Sequence, residues 1–316
     1  MKTVLITGAG GFIGRNLTKE LLDKDYLVIG IDNFSTGEEK NIGEFLKNKN
    51  FVFSKIDIRD KDDLFTLFKT YNPEIIFHLA ALPQVQYSIE NPIETNEVNV
   101  RGTLNLLEVS RRINVKRFVF ASSAAIYGDV GVDTIPEYEE KKPMSPYATQ
   151  KLIGEEYCKL YYRIYGLETI CLRLMNIYGP YQNPKGGYAN LIPKTIKKCL
   201  NSEPPEIYGD GFQTRDFCYV KDVVKAFIIS SETKNKECFG DCFNIGTGIS
   251  STVHMVIDEI QIQTDTLHIE PITFPPVVEP RYQRADIDKA KKSLGWDPLI
   301  NLSDGLKRTI EFFELK

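Results

Sequence analysis

The sequence predicts an α/β protein built on a doubly wound parallel sheet, and three observations carry that reading. Short β-branched or apolar runs recur through the first half, segments of helical period separate them, and a glycine-rich turn follows the first run directly. Strands that are apolar throughout, each followed by a helix, belong to a parallel sheet covered on both faces. The predicted strands are Thr3 to Thr7, Leu27 to Ile31, Phe51 to Ile56, Glu74 to Leu79, Arg117 to Ser122 and Glu168 to Leu174, with helices around residues 13–24, 61–70, 95–112 and 145–165.

After about Leu174 the rhythm breaks. Proline and glycine cluster in GPYQNPKGG and SEPPEIYGDG, a strand-like FNIGTG runs from Phe243 to Gly248, and a helical DIDKAKKSLG precedes Trp296-Asp297-Pro298 and a last helix. Residues 1–175 are expected to form the sheet domain, with 218–247 returning to it. Residues 176–316 are expected to form mainly a smaller C-terminal lobe over the sheet's carboxyl edge.

Composition excludes several classes. With 42% hydrophobic and 26% charged residues the 316-residue chain reads as an ordinary globular protein. A formal net charge of -4 gives no reason to expect nucleic acid or an anionic membrane. The six cysteines and three histidines form no ligand cluster, so no metal site is expected, and the thiols read as reduced core filler. No apolar run reaches the roughly 18 residues of a membrane span and no cationic leader opens the chain. A soluble, cytoplasmic protein is expected.

The turn after the first strand reads TGAGGFIG, with Gly8, Gly11 and Gly14 at a G-x-x-G-x-x-G spacing. Glycines there let the chain turn tightly and bring backbone N–H groups up to a pyrophosphate, while the following helix N-terminus faces the phosphates. A glycine-rich loop alone would be only a tight turn; its place between strand and helix opening a βαβ unit makes it a Rossmann dinucleotide loop. Asp32, 18 residues after Gly14, ends the second strand, where a carboxylate accepts ribose hydroxyls and repels a 2′-phosphate. NAD is therefore expected over NADP, against the simpler reading of Asp32 as the start of a turn. Asp57, after the third strand, is a candidate for the adenine amino group.

Tyr147 and Lys151 lie four apart on a predicted helix and so share a face. A protonated lysine beside a phenol lowers its pKa from about 10 and makes it a general base. The same spacing occurs at Tyr138/Lys142 and Tyr181/Lys185, but the first pair lies in a charged loop and Pro184 interrupts the second. ASSAAIYG ends the preceding strand, and either Ser122 or Ser123 could share the proton of a reacting hydroxyl.

TGAGGFIG, Asp32-Asn33, HLAA (His78 to Ala81), Asn99, SSAAIYG and Tyr147-Ala-Thr-Gln-Lys151 together resemble the extended short-chain dehydrogenase/reductase family. GDGFQTRDFCYVKDV and ADIDKAKKSLGW resemble its NAD-dependent epimerase/dehydratase branch. The resemblance selects Ser123 over Ser122. It implies a cofactor site of Gly8, Gly11, Phe12, Ile13, Gly14, Asp32, Asn33, Asp57, Ile58, Leu79, Ala80, Ala81 and Asn99, joined by Tyr147 and Lys151. For a nucleotide-diphosphate sugar it implies Ser123, Tyr147, Asn176, Asn190, Leu191, Arg215 and Glu279. Arg215 has the simplest chemistry, since a guanidinium binds phosphate oxygens bidentately.

The similar sugar 4,6-dehydratases carry an Asp-Glu pair after the serine and the decarboxylases a Glu, where this chain has Ala124 and Ala125. Methyl groups move no protons, so the resemblance implies 4-epimerisation of a UDP-hexose. A UDP-uronate 4-epimerase, another nucleotide-sugar epimerase/dehydratase and a non-catalytic NAD-binding regulator are the alternatives. Other departures are Pro276 where the family has an arginine, with Arg281 a substitute, Tyr181 for the arginine after YGP, Gln84 for a serine, and Gln283 where N-acetyl tolerance is set. Helix 145–165 is apolar on most sides (Leu152, Ile153, Tyr157, Leu160, Tyr161, Ile164), which burial within the monomer would also explain; the resemblance implies that it forms a homodimer seam with helix 95–112.

Overall fold

The computed structural model describes residues 2–184, 191–276 and 280–315. Seven parallel strands form the central sheet: β1 (Thr3–Thr7), β2 (Leu27–Asp32), β3 (Phe51–Lys55), β4 (Ile75–His78), β5 (Arg117–Ser123), β6 (Glu168–Leu174) and β7 (Asp241–Ile245). Their order is β7-β6-β5-β4-β1-β2-β3. The chain winds outward from β1 to β3, then restarts at β4 on the other side, so the strand order reverses between β1 and β4. Ligands of open α/β sheets bind at such a reversal, outside the strands' carboxyl ends. Register places the ends level, since Thr7 pairs with both Ile31 and His78.

Alternation in the strands divides the core between the two faces. Val4 and Ile6 of β1 pack with Leu17 and Leu21 of α1 (Phe12–Asp23), while Leu5 faces Leu106 and Leu107 beyond the sheet's other surface. α2 (Lys61–Tyr71), α3 (Thr103–Ile113) and α4 (Pro146–Tyr165) cover that second surface, and α5 (Val220–Glu232) packs beside α1. Trp296 is fully buried, donating from Nε1 to the Asp222 carbonyl at 2.9 Å, which ties the C-terminal segment to α5.

Two expected elements differ. The helix expected over 95–112 is divided: a short helix over Pro92–Asn96 leads into a wider π-type turn over Glu97–Gly102, which holds Asn99, and α3 follows from Thr103. Such insertions gather at functional sites, and here the turn directs the Asn99 amide to the Leu82 main chain. The strand expected over Phe243 to Gly248 ends at Ile245, because the Asp216 carboxylate takes the Thr247 and Gly248 N–H groups at 2.7 and 3.0 Å. Short two-stranded pairs escaped sequence reading, among them Asn176–Tyr178 with Phe217–Tyr219 and Glu206–Tyr208 with Ile272–Phe274.

All six cysteines are free and buried. Among the described residues no group of three or more His, Cys, Asp or Glu is placed to hold a metal, and no helix is long and apolar enough to cross a membrane.

Candidate functional site

A cleft of about 1780 Å³ opens at the strand-order reversal. Gly8, Gly11, Phe12, Ile13 and Gly14 line it, with Asp32, Asn33, Asp57, Ile58, Leu79, Ala80 and Ala81. The glycines are sterically required. Gly8 has φ +74°, and a Cβ there would lie 2.9 Å from the Ala80 nitrogen; a Cβ on Gly14 would strike the Gly8 carbonyl oxygen. α1 therefore starts against β1, and Gly11 at its N-cap adds no side-chain acceptor. The first-turn N–H groups suit a pyrophosphate.

Asp32 stands at the end of β2, accepting from Gly10 N at 2.9 Å and Phe34 N at 2.7 Å. Burial raises its pKa, and these backbone bonds oppose the rise. Each carboxylate oxygen keeps a lone pair for a ribose hydroxyl. Asp57 is gripped by Arg59 through two bonds (3.0 and 2.7 Å) and by Asn33 Nδ2 at 2.8 Å. Its carboxyl is held down at about 2, chiefly by Arg59. A cradle where Gly8 and Gly14 leave no room for a Cβ, with a carboxylate at its far end, fits a dinucleotide.

Ser123, Tyr147 and Lys151 meet in the same cleft. Ser145 caps α4, accepting from Ala148 N at 3.2 Å, and Pro146 begins the helix. That start sets Tyr147 in the first turn, with Lys151 one turn on. Ser123 faces the Tyr147 phenol and favours its ionised form, and the Ser123 hydroxyl oxygen accepts from Ala125 N at 3.1 Å. Lys151 Nζ donates to the Ala121 carbonyl at 2.7 Å and stands 5.9 Å from the Tyr147 ring centre.

The electrostatics differ from the expected lysine-acidified phenol. Burial pushes the Tyr147 phenol up to about 12, opposed by the Ser123 bond, and pushes Lys151 down to about 8. Desolvation disfavours each charged form, and it is the largest influence on both groups. His78, beneath the site, is held neutral by burial and by Lys151. Its tautomer follows from its partners. The Thr7 hydroxyl oxygen takes the Leu79 and Ala80 N–H groups and so donates to Nδ1, while Thr103 donates to the Asn99 carbonyl and so accepts from Nε2–H.

On the substrate side Asn176 and Arg215 line the cleft; Asn176 donates to Gln283 Oε1 at 3.1 Å. Leu191 lines an adjoining cavity of about 380 Å³ that shares Asn176 and Arg215. Asn190 and Glu279 lie outside the described residues. Asn99 does not line the cleft. Its amide accepts from Leu82 N at 2.8 Å and donates to Leu82 O and Gln150, so it is spent on main chain and helix rather than on a cofactor. Arg281, considered for phosphate, is paired with Asp210 through two bonds at 2.7 and 2.9 Å.

Sequence reading missed the groups that hold α4. Tyr147 N donates to Ser88 Oγ at 3.1 Å, and Gln150 bonds Thr95 and Asn99. One turn past Lys151, buried Glu155 accepts from Ser122 Oγ at 2.6 Å and from Arg173 twice, at 2.9 and 2.8 Å. Ser122 is therefore the structural serine and Ser123 the one facing Tyr147. A Cβ on Gly154 would lie 2.6 Å from Phe120, so that glycine lets α4 settle onto β5. The only local signal was Glu155 four residues beyond Lys151; its partners come from other strands.

Among the described lining residues the carboxylates are Asp32, Glu38 and Asp57, at the end of β2 and on the loops after β2 and β3. The segments flanking Ser123 and Tyr147 contribute Ala124, Ala125, Gly128, Met144 and Ser145 to the lining, and the segment after β4 contributes Gln84, Val85, Gln86 and Ile89.

Comparison with known proteins agrees with this geometry. A putative UDP-glucose 4-epimerase of Methanocaldococcus jannaschii is 40% identical over 98% of each chain. The crystal structure of UDP-glucose 4-epimerase with UDP-glucose from Thermotoga maritima superposes with a TM-score of 0.93 at 37% identity over 99% of each chain. UDP-glucose 4-epimerase of Thermus thermophilus in complex with NAD gives 0.89 at 31% identity, again over 99% of each. The profile of the NAD dependent epimerase/dehydratase family matches residues 4–246, spanning the glycine loop, the Ser123–Tyr147–Lys151 group and Arg215. With that match across the cleft itself, the chain belongs to the NAD dependent epimerase/dehydratase family.

Proposed function

We propose that this enzyme is an NAD-dependent 4-epimerase of a UDP-hexose, either UDP-glucose/galactose or the N-acetylated pair. The observation that carries this reading is the pairing of a Ser123–Tyr147–Lys151 group with Ala124 and Ala125, where a dehydratase or decarboxylase needs carboxylates. Tyr147 Oη takes the proton of the sugar 4-hydroxyl, with Ser123 bridging the two oxygens, as a hydride leaves carbon 4 and the 4-keto sugar forms. Bound NAD supplies a reversible hydride sink. Rotation of the keto sugar about its phosphate link presents the other face, Tyr147 returns the proton, and no net redox occurs. Gly8, Gly11, Phe12, Ile13, Gly14, Asp32, Asn33 and Asp57 hold the dinucleotide, while Asn176, Leu191 and Arg215 hold the UDP group; Lys151 fixes the nicotinamide ribose and the charge near Tyr147. Asn99 positions these groups from behind.

Neutral residues on the segments touching Tyr147 favour an uncharged hexose over a uronate. The enzyme works as a homodimer through α3 and α4, where Ile153, Tyr157, Leu160 and Ile164 stay partly or fully exposed. Six buried free thiols suit the reducing cytosol.

The test is a chromatographic panel of UDP-glucose, UDP-galactose, their N-acetyl forms and UDP-glucuronate. Interconversion of a neutral pair is expected, and Tyr147→Phe should reduce it about 10³-fold or more with NAD still bound. Turnover of UDP-glucuronate alone selects the uronate reading. No turnover of any member, with NAD bound, leaves the NAD-binding regulator.

A further inference from the structure

The loop from Gly179 to Asn183 leaves the substrate-side strand Asn176–Tyr178 and docks on the cofactor side of the cleft. Three contacts fasten it. Asn16 Nδ2, in the first turns of α1, donates to the Pro180 carbonyl at 3.2 Å. Arg15, almost wholly buried, stacks its guanidinium 3.5 Å from the centre of the Tyr181 ring and donates to the Tyr181 hydroxyl at 2.6 Å. Asn183 Nδ2 donates to Glu38 Oε1 at 3.2 Å, and Glu38 N is itself bonded to the Gly10 carbonyl of the glycine loop. Tyr181 and Asn183 both line the cleft.

The fastening is built rather than incidental. Tyr181 adopts φ +73°, a left-handed conformation that a bulky residue takes only when its surroundings impose it. The imposing groups are visible: Arg15 on one side, and Phe312 at 4.4 Å between ring centres. Arg15 is in turn fixed by its ion pair with Glu44 and by the Phe45 ring at 5.1 Å. A planar guanidinium held between two aromatic faces keeps both stacking and hydrogen bonding in one orientation.

We infer that this loop is a clasp, with Tyr181 and Asn183 as positioning residues that retain NAD over the glycine loop between turnovers. The inference rests on the NAD-dependent epimerase reading and deepens it. A dinucleotide seated on the α1 N-terminus would lie beneath a loop fastened on both sides, to α1 by Arg15 and Asn16 and to the segment after β2 by Glu38. Departure requires those contacts to part. Retention suits a reaction that returns its NAD oxidised at the end of every cycle and has no use for exchange.

The experiment loads the full-length enzyme with isotope-labelled NAD, removes free nucleotide by gel filtration, and follows loss of label after excess unlabelled NAD is added. Tyr181→Ala is expected to accelerate exchange at least tenfold, and Asn183→Ala, on the surface and without risk to folding, severalfold. Both variants should emerge from gel filtration with less than stoichiometric NAD and require added NAD for turnover. Exchange as slow in both variants as in the parent overturns the clasp while leaving the epimerase reading intact. A parent enzyme that takes up no NAD overturns both.

Discussion

At the level of single residues, the proposed base is a phenol placed where it is hard to ionise. Burial takes Tyr147 to about 12 and Lys151 to about 8, so at neutral pH the tyrosine is neutral and the lysine charged. A base that resists ionisation must be helped by charge arriving with the ligands. Binding of oxidised NAD is expected to lower the Tyr147 pKa by more than a unit, since opposite charge favours a phenolate. The check is the phenolate absorbance difference between parent and Tyr147→Phe, titrated with and without NAD; equal midpoints would refute it. Lys151 loses its charge as the pH rises through about 8, so turnover should fall over the same range. Ser123→Ala should lower kcat roughly 10²- to 10⁴-fold if the proton passes through its hydroxyl as proposed. Ser122→Ala should cost far less, its hydroxyl being committed to Glu155.

At the level of elements, α1 and α4 each seat a functional end against the sheet by lacking a side chain. Gly14→Ala would drive a methyl group into the Gly8 carbonyl and push the start of α1 away from β1. The expected result is loss of NAD from the purified protein together with a lower melting temperature, read by absorbance and calorimetry. Retention of stoichiometric NAD by this variant would show that α1 can yield. α4 is fixed on three sides, by Ser88 at Tyr147, by Thr95 and Asn99 at Gln150, and by Ala121 at Lys151. The widened turn at Glu97–Gly102 belongs to the same arrangement.

At the level of the whole molecule, one buried polar network joins α4 to three strands. Glu155 receives Ser122 of β5 and Arg173 of β6; Arg173 also donates to the Tyr127 hydroxyl at 2.8 Å, which donates to Asn244 of β7 at 2.7 Å. Burial alone would raise the Glu155 carboxyl, but the Arg173 and Ser122 bonds hold it below its ordinary value. Glu155→Gln leaves the guanidinium buried without its counter-charge and should destabilise by about 3–5 kcal/mol. Glu155→Gln with Arg173→Met should recover much of that loss in denaturant unfolding. Because the folded pKa is the lower one, the pair stabilises fully above about pH 4.3 and loses its effect as pH falls through the folded value. The double variant should therefore show a flatter acid profile. On the homodimer proposed through α3 and α4, Tyr157→Glu with Ile164→Glu should yield monomers by light scattering.

Much of this protein was legible in its sequence because the informative patterns are local. A strand, a G-x-x-G-x-x-G turn and a helix lie within one stretch of chain, Asp32 follows at the next strand end, and helical period alone puts Tyr147 and Lys151 on one face. Only the folded chain decided the rest. Asn99 turned inward, Glu155 took the Ser122 hydroxyl, and Arg15 found Tyr181 across 166 positions. The direction of the Tyr147 and Lys151 shifts was decided there too, because desolvation depends on what packs around a group and not on which residue stands four places away. Spacing along a chain specifies neighbours only within an element; contacts between elements arise when the sheet and its helices close over a shared core.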